Sequence, residues 1–383
     1  MSKRAEKIRG MLVPLIAVVL GLVLGGIIML AFGYDPIMGY QKMFATAFLN
    51  PQTQALNPKS IGEIFVTAAP LIFTALGFAI ANTAGFFNIG LSGQALCGWV
   101  VSVWVALSMP DAPKFVVLTV AILAGVLSGA VAAAIPGILR AFFGTSEVIV
   151  TIMMNYILLH VSTHLVTYTM SDSIKSSKVI TTMVGENGSL RTQFLSNLTD
   201  GSRLNLGIIF ALIFLVVMWF VMKKTTLGYQ IRAVGLNSFA SEYAGMNSKQ
   251  VIVTSMIISG ALAGMGGVIL GLGTFGNFAA QGASISIGFD GMAVSLLGGG
   301  SSIGILLSAL LFSILKLGGA GMQFAGIPSE LVDIDIAIII FFVAISFVIH
   351  FVLAKFFGTK KEVADIDNES KVKNEEQQEG GTL

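Results

Sequence analysis

Long apolar runs alternate with short polar breaks along this chain. Ten runs are predominantly apolar: 11–33, 61–81, 89–108, 114–137, 147–170, 205–222, 251–272, 285–299, 302–318 and 331–354. A helix needs about 20 such residues to cross the hydrocarbon core of a bilayer. Each run therefore predicts a membrane-crossing helix, the eighth being short for a full span. The apolarity continues around every face, which argues for bundled helices, because an open sheet cannot satisfy its backbone in lipid. The expected fold is an all-α polytopic membrane protein with about ten transmembrane helices.

Composition agrees. The chain is 55% hydrophobic and 11% charged, against about 25% charged for soluble proteins, so lipid must be the solvent for most of it. A net charge of +2 gives no nucleic-acid footprint. The single cysteine, Cys97, sits in an apolar run and excludes a disulfide framework within the chain. Lys3, Arg4, Lys7 and Arg9 precede the first run, but that run is too long for a signal-peptide core and no small-x-small cleavage site follows. It reads as a retained helix.

Basic residues near helix ends set the orientation. With residues 1–10 in the cytoplasm, twelve lysines and arginines fall inside and seven outside, leaving aside Lys316 in the ninth run and the distal tail. Both termini are then cytoplasmic. Residues 171–204 form an extracellular loop and 223–250 a cytoplasmic one, and residues 356–383 have the composition of a disordered cytoplasmic tail.

The polar stretch 82–94, NTAGFFNIGLSGQ, interrupts this pattern with three glycines and several amides. Its segment Ile89–Ala95 is echoed by Ile287–Ala293, identical at four of seven positions. The copies open the third and eighth helices from opposite sides, the arrangement of two inverted five-helix repeats. Paired glycine-interrupted segments in such folds mark broken helices lining a path near the midplane. Gly90 lets the helix break. Asn88, Ser92 and Gln94 can hydrogen-bond either a polar solute or the broken backbone, and a tight turn would use the same residues.

Other polar positions within the runs are costly in lipid and so draw notice. Glu147 lies at the inner end of the fifth run, with Thr151 and Asn155 further along it, and Asp290 lies in the second copy of the echo. Asp290 serves either the pathway or a donor on a neighbouring helix. His160 and His164 have helical i, i+4 spacing, but two histidines are too few for a zinc site, and structural roles are expected. GSSIG at 300–304 matches a nucleophile-elbow pattern but falls in a turn between helices. No lysine follows a glycine, so there is no phosphate-binding loop and no ATP hydrolysis by that route. In the 223–250 loop, a Ser or Asn before FASEYAG can cap a short helix and the following glycine can end it. Such a helix would suit docking of a soluble partner.

AGFFNIGLSGQ, FFGTSEVIVTIMMNY, RAVGLNSFASEYAGM and GFDGMAVSLLGG occur in this order. Together they resemble the permease subunits of ATP-binding-cassette importers in the branched-chain amino acid and ribose permease superfamily. Within it they resemble nucleoside (purine/pyrimidine) uptake permeases that work with basic-membrane-lipoprotein binding proteins. The resemblance covers about residues 10–355. It implies a bacterial plasma-membrane transport subunit, not an enzyme. It also implies a second, non-identical permease, a double-cassette ATPase that uses ATP and Mg, an extracellular binding lipoprotein, and no cofactor on this chain. By motif match, Arg232, Gly235, Asn237, Ala240, Glu242, Ala244 and Gly245 would meet the ATPase. Asn88, Gly90, Ser92, Gln94, Glu147, Thr151, Asn155 and Asp290 would lie along the substrate pathway. Relatives commonly carry an acid where this chain has Ser92, which implies that the motif works through backbone shape and neutral hydrogen bonds. A ribose-type sugar permease is the nearest alternative. An ion-coupled secondary transporter could use Asp290 as its coupling carboxylate, but it lacks a second buried partner at mid-span and leaves the docking loop without a role. A membrane-embedded enzyme finds no nucleophile–base or metal constellation.

Overall fold

The computed structural model describes residues 3–50 and 53–344. Among them are fourteen α-helices. The first seven are α1 (Lys3–Ala31), α2 (Pro36–Phe48), α3 (Pro58–Thr83), α4 (Leu91–Leu107), α5 (Lys114–Phe143), α6 (Glu147–His164) and α7 (Gln193–Leu198). The rest are α8 (Gly207–Lys224), α9 (Thr226–Leu236), α10 (Ser238–Tyr243), α11 (Ser248–Val268), α12 (Ile287–Leu297), α13 (Ser302–Gln323) and α14 (Ser329–Ala344). A two-stranded hairpin, β1 (Lys175–Ser177) and β2 (Ile180–Thr181), lies between α6 and α7. The chain forms two compact units, Met1–Ile37 with Pro328–Leu383, and Met38–Ile327. In the first, α1 packs on α14.

Within the described residues every apolar run falls on a helix. Among the described residues six helices are long and apolar enough to cross a membrane: α3, α5, α6, α8, α11 and α13, with α6 and α11 extended by wide π-helical turns to Thr169 and Phe275. Val18–Ala31, α4 and α12 are shorter apolar helices. The expected shortness of the eighth run appears as the eleven residues of α12. The last part of the tenth run, beyond Ala344, and the 356–383 tail lie outside the described residues.

The second unit is built around α3, whose apolar window is 89% buried. Asn57 starts this helix, its side chain accepting from Lys59 N at 3.1 Å, with Pro58 at the first turn where a missing N–H costs nothing. In lipid no hydrophobic force draws apolar helices together, so close backbone approach must supply the packing. Gly125 and Gly129 of α5 face Gly260 and Gly264 of α11, each four residues apart. A methyl group at Gly264 would lie 2.7 Å from the Gly125 carbonyl oxygen. On the next face of α11, a Cβ at Gly267 would overlap the Ala95 carbonyl oxygen of α4, and one at Gly98 would overlap that of Gly264. The helices α4, α5 and α11 thus meet main chain to main chain.

The 171–206 connection is strapped onto the wide end of α11. Arg191 donates to the carbonyls of Gly273 and Thr274, and Leu190 N donates to Leu272 O at 3.0 Å, satisfying carbonyls that the helix end leaves free. Arg203 and Glu63 tie the same connection to the start of α3, with Nη2 to Oε2 at 2.7 Å. The helix α2 was not anticipated: it seats Met43 and Thr46 against Gly318 and Gly321 of α13.

Candidate functional site at two facing helix starts

The helix α3 ends where Gly85, at φ +83°, turns the chain through a left-handed conformation. The chain returns through Phe86–Gly90 and starts α4 in the interior. Asn88, fully buried, organises this start. Its Oδ1 accepts from Gly90 N at 3.0 Å and from Gln94 Nε2 at 3.2 Å. Its Nδ2 donates to Gln94 Oε1 at 3.0 Å and to Ser259 Oγ of α11 at 2.9 Å. Asn155 approaches from α6. Its Nδ2 donates to Ile89 O at 2.9 Å and its Oδ1 accepts from Gly93 N at 2.8 Å. The amides therefore bond the broken backbone and one another. A methyl at Gly90 would lie 2.8 Å from Gln94 Nε2, and one at Gly93 2.9 Å from Asn155 Oδ1, so both positions are filled by the node itself.

The second copy of the echo meets the first. Gly288, at the start of α12, lies directly against Ser92, without room for a Cβ. Thr74 of α3 donates to Ile287 O at 3.2 Å, and Gly291 packs against that threonine. The start of α4 is thus held by α11 through Ser259, and the start of α12 by α3 through Thr74. Ser92 Oγ is buried with no hydrogen-bond partner among the described residues.

Asp290, 8% exposed, forms an ion pair with Lys316 of α13. Lys316 is the lone charge in the ninth run, and orientation counting alone gives it no role, although an ionisable residue in a membrane span calls for one. Glu147 pairs with Arg140 at 3.4 Å where α5 gives way to α6, and Thr151 is buried one turn on, donating to Glu147 O at 2.7 Å.

The 226–245 segment is a pair of helices. Asn237 caps α10, accepting from Ala240 N at 2.9 Å, and Gly245, at φ +83°, ends it, as the residue types suggested. Ala240, Glu242, Ala244 and Gly245 are exposed, and so are Leu236, Phe239 and Tyr243, at 88%, 75% and 95%. Arg232 Nη1 is buried without a partner among the described residues. A Cβ at Gly235 would overlap the Thr83 carbonyl oxygen, so the end of α9 rests on the corner from which the polar stretch departs. GSSIG overlaps the turn and first residues between α12 and α13, as expected. Both His160 and His164, expected in structural roles, are exposed. A cleft of about 720 Å³ opens elsewhere, between the end of α4 and residues 171–188, lined by Trp104, Ser108, Ser171, Thr182, Glu186 and Asn187 among others. Among the described residues no cluster of three metal-ligating side chains occurs.

The node makes a direct prediction. Asn155→Leu strips the Ile89 carbonyl and the Gly93 N–H of partners in a buried site, where an unsatisfied group costs about 1–3 kcal/mol. The ratio of folded to unfolded protein should fall at least about ten-fold, since 1.4 kcal/mol is a factor of ten. Wild-type thermal stability of the extracted variant would show that Asn155 does not hold the node together.

Residues 60–348 match the family model described as the branched-chain amino acid transport system / permease component. The chain belongs to this family of membrane permeases and is a multi-pass membrane protein. It is 51% identical to the nucleoside ABC transporter permease protein NupB of Lactococcus lactis subsp. cremoris (strain MG1363), over 91% of this chain and 95% of that one. It is 45% identical to the guanosine ABC transporter permease protein NupP of Bacillus subtilis (strain 168), over 91% of this chain and 97% of that one. The glucose ABC transporter permease protein TsgB13 of Haloferax volcanii is 29% identical, over 87% of each chain. No solved structure matches the chain.

Proposed function

We propose that this chain is the membrane-spanning permease subunit of an ATP-binding-cassette importer for nucleosides. The observation that carries the substrate class is the 51% identity to a nucleoside permease along nine-tenths of the chain, against 29% for the sugar permease. The ion pair of Asp290 with Lys316 supplies the basic partner that an ion-coupled transporter would need, but the exposed apolar surface of α10 favours a docked ATPase. Ten spans in two inverted five-helix repeats, with cytoplasmic termini, suit the reciprocal hold of α4 by α11 and α12 by α3. In this reading α9 and α10 face the cytoplasm, and Leu236, Phe239 and Tyr243 meet a double-cassette ATPase that uses ATP and Mg. Arg232, Gly235, Asn237, Ala240, Glu242, Ala244 and Gly245 shape that contact. Movement of α9 reaches the node through Gly235 on the Thr83–Gly85 corner. Asn88, Gly90, Ser92, Gln94, Thr151, Asn155, Glu147 and Asp290 then form the part of the pathway whose backbone shifts between states. A second, non-identical permease completes the channel, and a binding lipoprotein delivers substrate from outside.

Deleting this chain from its source cell should abolish uptake of labelled guanosine and leave ribose and leucine uptake unchanged. Unchanged guanosine uptake, or selective loss of ribose, would reject the nucleoside reading. The coupling surface is tested separately by Phe239→Asp and Tyr243→Asp. Both side chains are exposed, so inserted protein should stay at the wild-type level, while substrate-stimulated ATP hydrolysis by the assembled complex drops at least about ten-fold, as expected when a charge is buried unpaired in an interface. Full stimulation in both variants would place the ATPase elsewhere.

A further inference from the structure

The helix α6 carries Tyr156, His160, His164 and Tyr168 at intervals of four residues, so they share one face of α6 and its wide-turn extension. All four are exposed, the tyrosines at 58% and 77%. The His164 and Tyr168 rings lie 5.1 Å apart between centroids, tilted against each other. With a rise of about 1.5 Å per residue, Tyr156 stands about 13 Å from the helix start, near the middle of the apolar span Glu147–Thr169, and the row climbs about 18 Å toward the end that joins the 171–206 connection. Polar and ionisable groups inside a membrane almost always face a bundle interior or a water-filled space, since hydrocarbon offers their N–H and O–H groups no partners. Asn155, one residue before Tyr156 and so about 100° round the same helix, is locked into the node. The lower end of the row and the node therefore lie at one depth, on adjoining faces.

From this placement we infer that the row Tyr156–His160–His164–Tyr168 lines the substrate path and guides a nucleobase from the outer surface to the node. The inference rests on the nucleoside reading and deepens it. Flat rings with a hydrogen-bonding edge suit a purine or pyrimidine on two counts. Stacking on an aromatic side chain contributes about 1–3 kcal/mol per base and tolerates every base. The phenol and imidazole edges add donors and acceptors without charge pairing, so no single rung holds a neutral nucleoside too tightly to release it.

The test uses the assembled transporter in cells, with single cysteines replacing Tyr156, His160 or His164 in a Cys97→Ala background. Leu127→Cys, on the exposed face of α5 at 61% exposure, is the control. The probe is a charged, membrane-impermeant methanethiosulfonate added outside, which reacts with the thiolate and so needs water at the site. The three row cysteines should react at least about ten-fold faster than the control, and saturating guanosine should slow them several-fold. Rates no faster than the control would mean that lipid or the second permease covers this face, and would overturn the inference. So would rates indifferent to guanosine in cells whose wild-type transporter imports it. Absence of guanosine import by the wild type would instead overturn the substrate reading, and the labelling rates would then still decide whether the face is wet.

Discussion

Gly267→Leu is expected to leave almost no folded protein in the membrane, whereas Gly282→Leu should insert at the wild-type level. A Cβ at 267 would overlap the Ala95 carbonyl oxygen and crowd Trp99 N at 2.8 Å, both main-chain atoms of α4. Overpacking usually costs about 1–3 kcal/mol because side chains can move aside. Here the obstacle is a helix backbone, already in contact with α11 one turn along the same seam, where Gly98 meets Gly264. Relief would require α4 to leave α11, so the cost should exceed about 3 kcal/mol. Gly282 lies in the connection before α12, with no atom within 4 Å of a built Cβ. The measurement is the monodisperse fraction after mild detergent extraction. Equal recovery of the two variants would refute the backbone-to-backbone seam.

Lys316→Met should destabilise the protein almost as severely, and adding Asp290→Asn should restore most of the loss. The single change leaves the Asp290 carboxylate without its cation. Breaking a buried pair in this way costs about 3–5 kcal/mol, while replacing both partners is often neutral. The lower end applies, because the Lys316 side chain keeps 29% of its exposure. Unfolding temperatures of the two single variants and the double variant in one detergent give the coupling directly. A double variant as unstable as the sum of the singles would show that the two groups act independently.

Much of this architecture could be read from the chain before its coordinates. Within the described residues each apolar run falls on a helix, because a stretch of lipid-soluble side chains has few other ways to satisfy its backbone. The caps at Asn237 and Gly245 followed from local chemistry. The short helix α2 escaped notice: thirteen residues including Tyr40, Gln41 and Lys42 lack the length and uniform apolarity that mark a span. In the node, Asn88, Gln94, Asn155 and the glycines announced themselves as polar or flexible residues in an apolar setting. Their partners did not. Ser259 lies 171 positions from Asn88, and Ile287 lies 213 from Thr74. Helical serines and threonines are ordinarily satisfied by the carbonyl one turn back, so nothing local distinguishes the two that reach across. The exposure of His160 and His164 was hidden for a similar reason. Spacing reveals that two residues share a face, but only packing decides what that face meets.

Glycine is usually counted as a source of flexibility, and this chain has 44. At the meeting of α4, α5 and α11 it does the reverse. With no side chains between them, the helices cohere through dispersion and through short contacts from Cα–H groups to facing carbonyl oxygens, each weak and many together. Neither force involves a net charge. Added salt or a change of pH, which would loosen the Glu63–Arg203 link at the surface, has no handle on this seam. Its strength is a matter of fit alone, so it should survive transfer between detergents of any headgroup charge as long as the surrounding phase stays apolar.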